Sequence, residues 1–143
     1  MKKLLFIAAA FVVSISAMAQ QKADDLIKMN SEKHDFGKIK QGVPVTTTFT
    51  ITNTTNKPLV IENAWASCGC TTPEYAKEPI APGGSTKLKV GYNAAAMGTF
   101  TKPVYIKLAG IDEPKQVNII GEVVDANSVT AAPAKATKAK KAS

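Results

Sequence analysis

Ser67-Cys68-Gly69-Cys70-Thr71 holds both cysteines of this 143-residue chain, with a single glycine between them. Thiols at that spacing suggest a structural staple, a redox pair or a metal clip. In an extended strand, residues i and i+2 face the same side, so both sulfurs can meet one partner. Their Cα atoms would then lie about 6.6–7.2 Å apart, whereas a disulfide prefers about 4.4–6.8 Å. Pairing therefore requires a bend, which Gly69 is expected to supply through unusual backbone angles. Closing so short a loop contributes only about 1.5 kcal/mol by the chain-entropy model. A strained disulfide is more easily reduced, so a redox pair is chemically sensible. Attack would need an exposed thiolate, and Lys77 could lower a thiol pKa only by folding back toward it. The usual redox signature, Cys-x-x-Cys at a helix start in an α/β fold, is absent. As a metal clip, two thiolates suit Cu(I), with His34 or Met97 as further ligands, whereas zinc wants four. The bland alternative is that the bent Cys68-Gly69-Cys70 segment only shapes a loop beside Trp65.

Other chemistry finds little purchase. One histidine and no Gly-x-Ser-x-Gly argue against a serine-type triad. Asp35-Phe36-Gly37 spells a kinase tripeptide without the remaining kinase motifs. Pro82-Gly83-Gly84-Ser85 has no following lysine and reads as a turn, not a phosphate loop. Glu62, Glu74 and Glu78 show no spacing that commits two of them to one site. Asn53-Thr54-Thr55 fits a glycosylation sequon, and a turn at a strand end explains it equally well.

The elements that must position the cysteines begin after an export signal. Lys2 and Lys3, the apolar run Leu4 to Val13, and Ala17-Met18-Ala19 have the form of a secretory signal peptide over residues 1–19. A spanning helix needs about 20 apolar residues, and this run meets Ser14 and Ser16 first. The mature protein is expected to be soluble and periplasmic or extracellular, where disulfides are permitted. Residues 20–30 read as a flexible leader. Residues 126–143, built of Ala, Lys and Thr with almost no large apolar side chain, read as a disordered basic tail.

The net charge of +7 resides largely outside the remaining module. Six lysines fall in the signal and the tail, leaving twelve lysines against eleven acids and no arginine. Sequence-reading nucleic-acid modules lean on arginine, so sequence-specific nucleic-acid binding is not expected. The tail is expected to contact anionic polymers weakly.

Within residues 31–125 the pattern alternates. Val45, Phe49 and Ile51 share one face of a run whose other face is Thr46, Thr48, Thr50 and Thr52. Leu88, Val90 and Tyr92 alternate with Lys87 and Lys89, and Val104, Ile106 and Leu108 with Tyr105 and Lys107. Val117, Ile119 and Val123 fall together, and His34 to Ile39 makes a short first strand. Turn residues separate these runs: Gly42, Asn56-Lys57-Pro58, Pro82-Gly83-Gly84 and Asp112-Glu113-Pro114. About seven short strands in under about 100 residues predict an immunoglobulin-like antiparallel β-sandwich. Phe36, Phe49, Ile51, Leu59, Ile61, Leu88, Val90, Val104, Ile106, Val117 and Ile119 are its expected core. Trp65 is placed in the core or at a sheet edge, with ligand stacking as the lesser alternative.

The segments from His34 to Ile39, Phe49 to Tyr75 and Glu78 to Ala94, with the strands that follow, resemble the exported bacterial domain-of-unknown-function 1573 family. That family is similar to Hydin-like and sperm-protein-like immunoglobulin modules. Ser67-Cys68-Gly69-Cys70-Thr71, the Pro73 and Tyr75 beyond it, and the Ile80-Ala81-Pro82-Gly83 turn carry the resemblance, which spans about residues 33 to 123. It implies a fold and an exported location, and no activity. The expectation is a non-enzymatic binding or assembly module without a cofactor. It would meet a protein or a cell-envelope component through a sheet edge or loops. The alternative is a small thiol-redox or Cu(I)-handling protein using Cys68 and Cys70.

Overall fold

The computed structural model describes residues 20–128. One helical turn, α1 (Ala23–Leu26), leads into eight strands: β1 (Ile27–Met29), β2 (Lys33–Lys40), β3 (Val45–Asn53), β4 (Ile61–Ala66), β5 (Thr71–Tyr75), β6 (Ser85–Tyr92), β7 (Gly98–Leu108) and β8 (Lys115–Val124). They form two four-stranded sheets, ordered β1-β3-β6-β5 and β2-β8-β7-β4. Each sheet has one apolar face, and packing the two together covers both.

The alternation of the sequence is the alternation of burial. Phe49 and Ile51 of β3 are buried while Thr46 and Thr48 are exposed, because successive side chains on a strand point to opposite faces. Leu88, Val90, Val104, Ile106, Val117 and Ile119 are fully buried. Phe36 and Leu59, expected in the core, are half-buried and pack against its margin. Tyr92 of the first sheet stacks on Phe100 of the second at 4.1 Å between ring centroids, tying the layers at one end.

Two expectations are corrected. The segment 20–30 is not a loose leader throughout: Ala23, Leu26 and Ile27 are buried in the core, and β1 pairs antiparallel with the end of β3. Lys115, buried at the start of β8, anchors this segment by bonding the carboxylates of Asp24 and Glu32. The sandwich is also not wholly antiparallel, since β2 runs parallel to β8. The chain leaves the first sheet after β1 and enters the second as β2, which places β2 beside β8 in that direction. A bulge at Asp35–Lys38 interrupts the parallel pair. Gly37 there has φ 66°, a left-handed value that favours glycine, and its N–H donates to Asp35 Oδ1 at 2.7 Å.

Among the described residues, no helix is long and apolar enough to cross a membrane. The expected signal peptide lies outside the described residues. Of the expected tail, residues 126–128 form a turn closed by the Ser128 N–H on the Asp125 carbonyl, at 2.9 Å. The rest of the tail also lies outside.

Candidate functional site

β4 ends at Ala66 on the edge of the second sheet, and β5 begins at Thr71 on the edge of the first. Ser67 to Cys70 make the crossing between layers, so both cysteines sit on a turn that bridges the sandwich. Cys68 and Cys70 are bonded to each other, with Cα atoms 5.3 Å apart, shorter than an extended strand permits. The Thr71 N–H donates to the Cys68 carbonyl at 3.3 Å and the Asn93 N–H to the Cys70 carbonyl at 3.0 Å. Thr71 Oγ1 lies 3.9 Å and 3.8 Å from the two sulfurs. The bend does not use glycine's freedom as expected: Gly69 has no left-handed φ, and a Cβ built there meets open space. The unusual backbone falls instead on the neighbouring loop, where buried Ala94 has φ 52° and its carbonyl accepts from the Gly42 N–H at 2.9 Å. A shallow cavity of about 180 Å³ opens beside the turn, lined by Pro44, Gly69, Cys70, Tyr92 and Asn93 among others.

The other residues singled out for cysteine chemistry are scattered. His34 sits on β2, the opposite edge of the second sheet from β4, with its ring edge-on to Phe36 at 4.6 Å. Lys77 follows β5, at the far end of that strand from Cys70. Met97 is exposed in the connection between β6 and β7, the same connection whose Asn93 bonds Cys70. Among the described residues, no cluster of three or more His, Cys, Asp or Glu side chains is placed to hold a metal.

The sequon Asn53-Thr54-Thr55 is structural. Asn53 is fully buried, and its Nδ2 donates to the carbonyls of Lys57 at 2.7 Å and Ile80 at 2.9 Å. Its Oδ1 accepts from the Thr55 N–H and hydroxyl, both at 2.8 Å. This amide therefore pins the turn after β3 to the segment before β6.

Two surface features stand out. Of the two placements expected for Trp65, the sheet edge holds and the core does not: on edge strand β4 it stands on the outer face of the second sheet, 37% exposed, with its ring 5.5 Å from that of Tyr105 and nearly parallel to it. The pairing of Trp65 with Tyr105 across β4 and β7 brings them together. Their sequence signal was the outward phase of Tyr105 in its alternating run. The second feature is the edge of β3. β1 pairs only with Ile51–Asn53, whereas β3 begins at Val45. The Asn30 N–H donates to the Thr50 carbonyl at 3.1 Å, and the Thr50 N–H to Asn30 Oδ1 at 2.7 Å. Thr50 thus turns its main chain toward the β1 side. By the alternation of an antiparallel strand, Thr48 and Thr46 do so too, and no described strand pairs with them there.

Residues 27–123 match the model of a family described as "Protein of unknown function (DUF1573)". No curated protein matches the chain. Among solved structures, the fold is similar to a protein of unknown function from Porphyromonas gingivalis W83, at 18% identity and TM-score 0.60, covering 68% of this chain and 46% of that one. It is also similar to the Vibrio cholerae VesB protease, at 17% identity and TM-score 0.59, covering 71% of this chain and 33% of that one. ASH/PapD-like domain 7 of human CEP192 aligns at 7% identity and TM-score 0.58, covering 85% and 99%. The match thus spans less than half the length of the first two, and at these identities the likeness is one of fold.

Proposed function

This chain belongs to the DUF1573 family, and from that premise we propose that it is an exported, non-enzymatic binding module of the cell envelope that takes an extended protein segment along the open edge of β3. The observation that carries this reading is the length mismatch between β1 and β3, which leaves the main-chain groups of Thr46 and Thr48 facing outward. The other edges are guarded. β5 carries Pro73, which lacks an N–H. β2 is bulged and carries Lys33, Lys38 and Lys40. On β4 the Glu62 carbonyl already accepts from the Tyr75 hydroxyl at 3.3 Å, and a register shift interrupts the strand. Bulges, prolines and lysines are the usual means of blocking strand addition, and Val45–Phe49 has none of them. An added strand would gain main-chain hydrogen bonds there.

The test is capture from an envelope extract by the wild type and by Thr48→Pro. Proline at 48 removes an outward N–H and leaves the β6 ladder untouched. Capture that is lost in a variant still folded by its thermal transition supports strand addition, and undiminished capture refutes it. If Thr48→Pro does not fold, Thr46→Pro serves as the second variant.

A second reading, thiol-redox chemistry or Cu(I) handling, is favoured by one observation: the Cys68–Cys70 turn is half-exposed at the rim of the sandwich, with Gly69 exposed. Insulin reduction and Cu(I) competition against a chelator, each compared with Cys68→Ser/Cys70→Ser, decide it. Activity or copper binding that vanishes in the double variant would establish the second reading.

A further inference from the structure

We propose that the outer face of β4 is a binding site for a neutral glycan, with Trp65 as its stacking platform. This surface is separate from the β3 edge and does not depend on the reading above.

The platform is built by register. Along β4, Asn63 and Trp65 stand two positions apart and project to the same outer side, about 6.6–6.8 Å from each other, and the exposed Ser67 follows directly after the strand. Across the sheet, Trp65 pairs with Tyr105, and Tyr105 with Gln116 on β8. In the next row, Asn118 stands opposite Pro103, whose carbonyl takes the Ser67 N–H at 3.4 Å. Gln116 Nε2 donates to Asn118 Oδ1 at 3.1 Å, which orients that amide pair. The near-parallel packing against Tyr105 steadies the indole in place, and β4 is the terminal strand of its sheet, so among the described residues no further strand stands beside it.

The composition of this patch selects its ligand. A pyranose presents an apolar C–H face and a rim of hydroxyls that both donate and accept. An exposed indole matches the first, and amide and hydroxyl side chains match the second, since they also do both. Charge points the same way. The nearest cation across the strand pair, Lys107 opposite Asn63, is already held by Glu62 at 2.6 Å. Lys33 stands opposite Asn118 on β2, three strands away from Trp65, so beside the indole itself the charge is neutralised and offers little to an anionic polymer. A tryptophan presents about 150–250 Å², so 37% exposure leaves about 55–95 Å². One ring of that area with polar groups on either side fits one or two sugar units.

Trp65 is the only tryptophan of the chain, so its fluorescence reports on this site alone. The full chain is titrated with an N-acetylglucosamine tetramer and with cellotetraose, each to about 10 mM, and with polygalacturonate as the anionic control. The expected result is a saturable spectral shift with at least one neutral tetramer and none with the anionic polymer. Ligand-observed NMR, which does not need the indole, should show at least tenfold weaker binding in Trp65→Ala and a smaller loss in Gln116→Ala, with thermal midpoints unchanged. The absence of saturable binding to either neutral tetramer, binding only to polygalacturonate, or binding that survives Trp65→Ala would each overturn the proposal. So would a Trp65-dependent self-association seen by sedimentation without sugar binding, which would make the face a protein interface.

Discussion

Lys115 at the start of β8 donates a hydrogen bond to Asp24, 91 positions earlier in the chain. Glu32 accepts from the same ammonium. Burial by itself lowers the pKa of this lysine, but the bonds and charges of Asp24 and Glu32 outweigh it, and the pKa stands above its usual 10.5. Because the folded-state pKa is the higher one, the stabilisation is fully present below pH 10.5 and is lost as pH rises through the folded value. The midpoint difference between wild type and Lys115→Met should therefore hold steady from neutral pH to about 10 and shrink above it. Asp24 and Glu32 are well exposed and can be solvated without their partner, so Lys115→Met should cost no more than about 1 kcal/mol at neutral pH. Leu26→Ala, which removes apolar packing from the same segment, should cost about 2–5 kcal/mol. Denaturant titration measures both, and a near-zero cost for Leu26→Ala would restore the loose leader.

Asn53→Ala should cost about 2–4 kcal/mol. It removes a buried amide with four bonds and strands the Thr55 N–H, while the Ile80 carbonyl keeps the Leu59 N–H and the Thr55 hydroxyl keeps the Lys57 carbonyl. The same measurement applies, and a change under about 0.5 kcal/mol would mean that water replaces the amide without penalty.

Two glycines should answer oppositely to alanine. At Gly121 a Cβ would lie 2.8 Å from the Phe100 ring and 3.0 Å from the Gly37 carbonyl oxygen. Phe100 is itself stacked on Tyr92, so its ring has little room to yield. Gly121→Ala should cost about 1–3 kcal/mol through overpacking. Gly69→Ala should be neutral or slightly stabilising, by up to about 1 kcal/mol, because it reduces the freedom of the unfolded chain. Thermal melts of the two variants check the contrast, and a strong loss at Gly69 would show that the Cys-Gly-Cys turn needs glycine after all.

Cys68→Ser/Cys70→Ser should destabilise modestly, on the order of 1–3 kcal/mol, through lost burial beside Thr71 and a loosened crossing between sheets. Calorimetry on the oxidised wild type and the double variant provides the measurement. A loss above about 5 kcal/mol would make this short loop a principal staple, against the chain-entropy argument.

The sandwich was legible in the sequence because its strands are half-buried: the Thr face of β3 and the Lys face of β6 mark what is outward as clearly as Phe49 and Leu88 mark what is inward. The first turn and strand were not legible. Ala23, Leu26 and Ile27 are too few to show a period, and their anchor, Lys115, is a lysine. Its one signal was its phase, two residues before Val117 on the buried side of β8. The Cys-Gly-Cys bend was correctly required by distance, but its glycine was assigned a conformation that the turn does not use. The Trp65–Tyr105 pair and the bare edge of β3 depend on which strands become neighbours and where their pairing stops. The alternating run shows the outward phase of Tyr105, but no local pattern encodes its partner or the place where the pairing of β3 stops.

Site-specific photo-crosslinking tests the central claim most directly. A photoreactive side chain placed at Thr48, beside the open edge of β3, is compared in the intact cell envelope with the same group at Glu74, on the opposite edge of that sheet. The account predicts a discrete protein adduct at position 48 that is absent at 74 and is lost when Thr46→Pro is added. Equal labelling at both positions, or adducts at 74 alone, would contradict it.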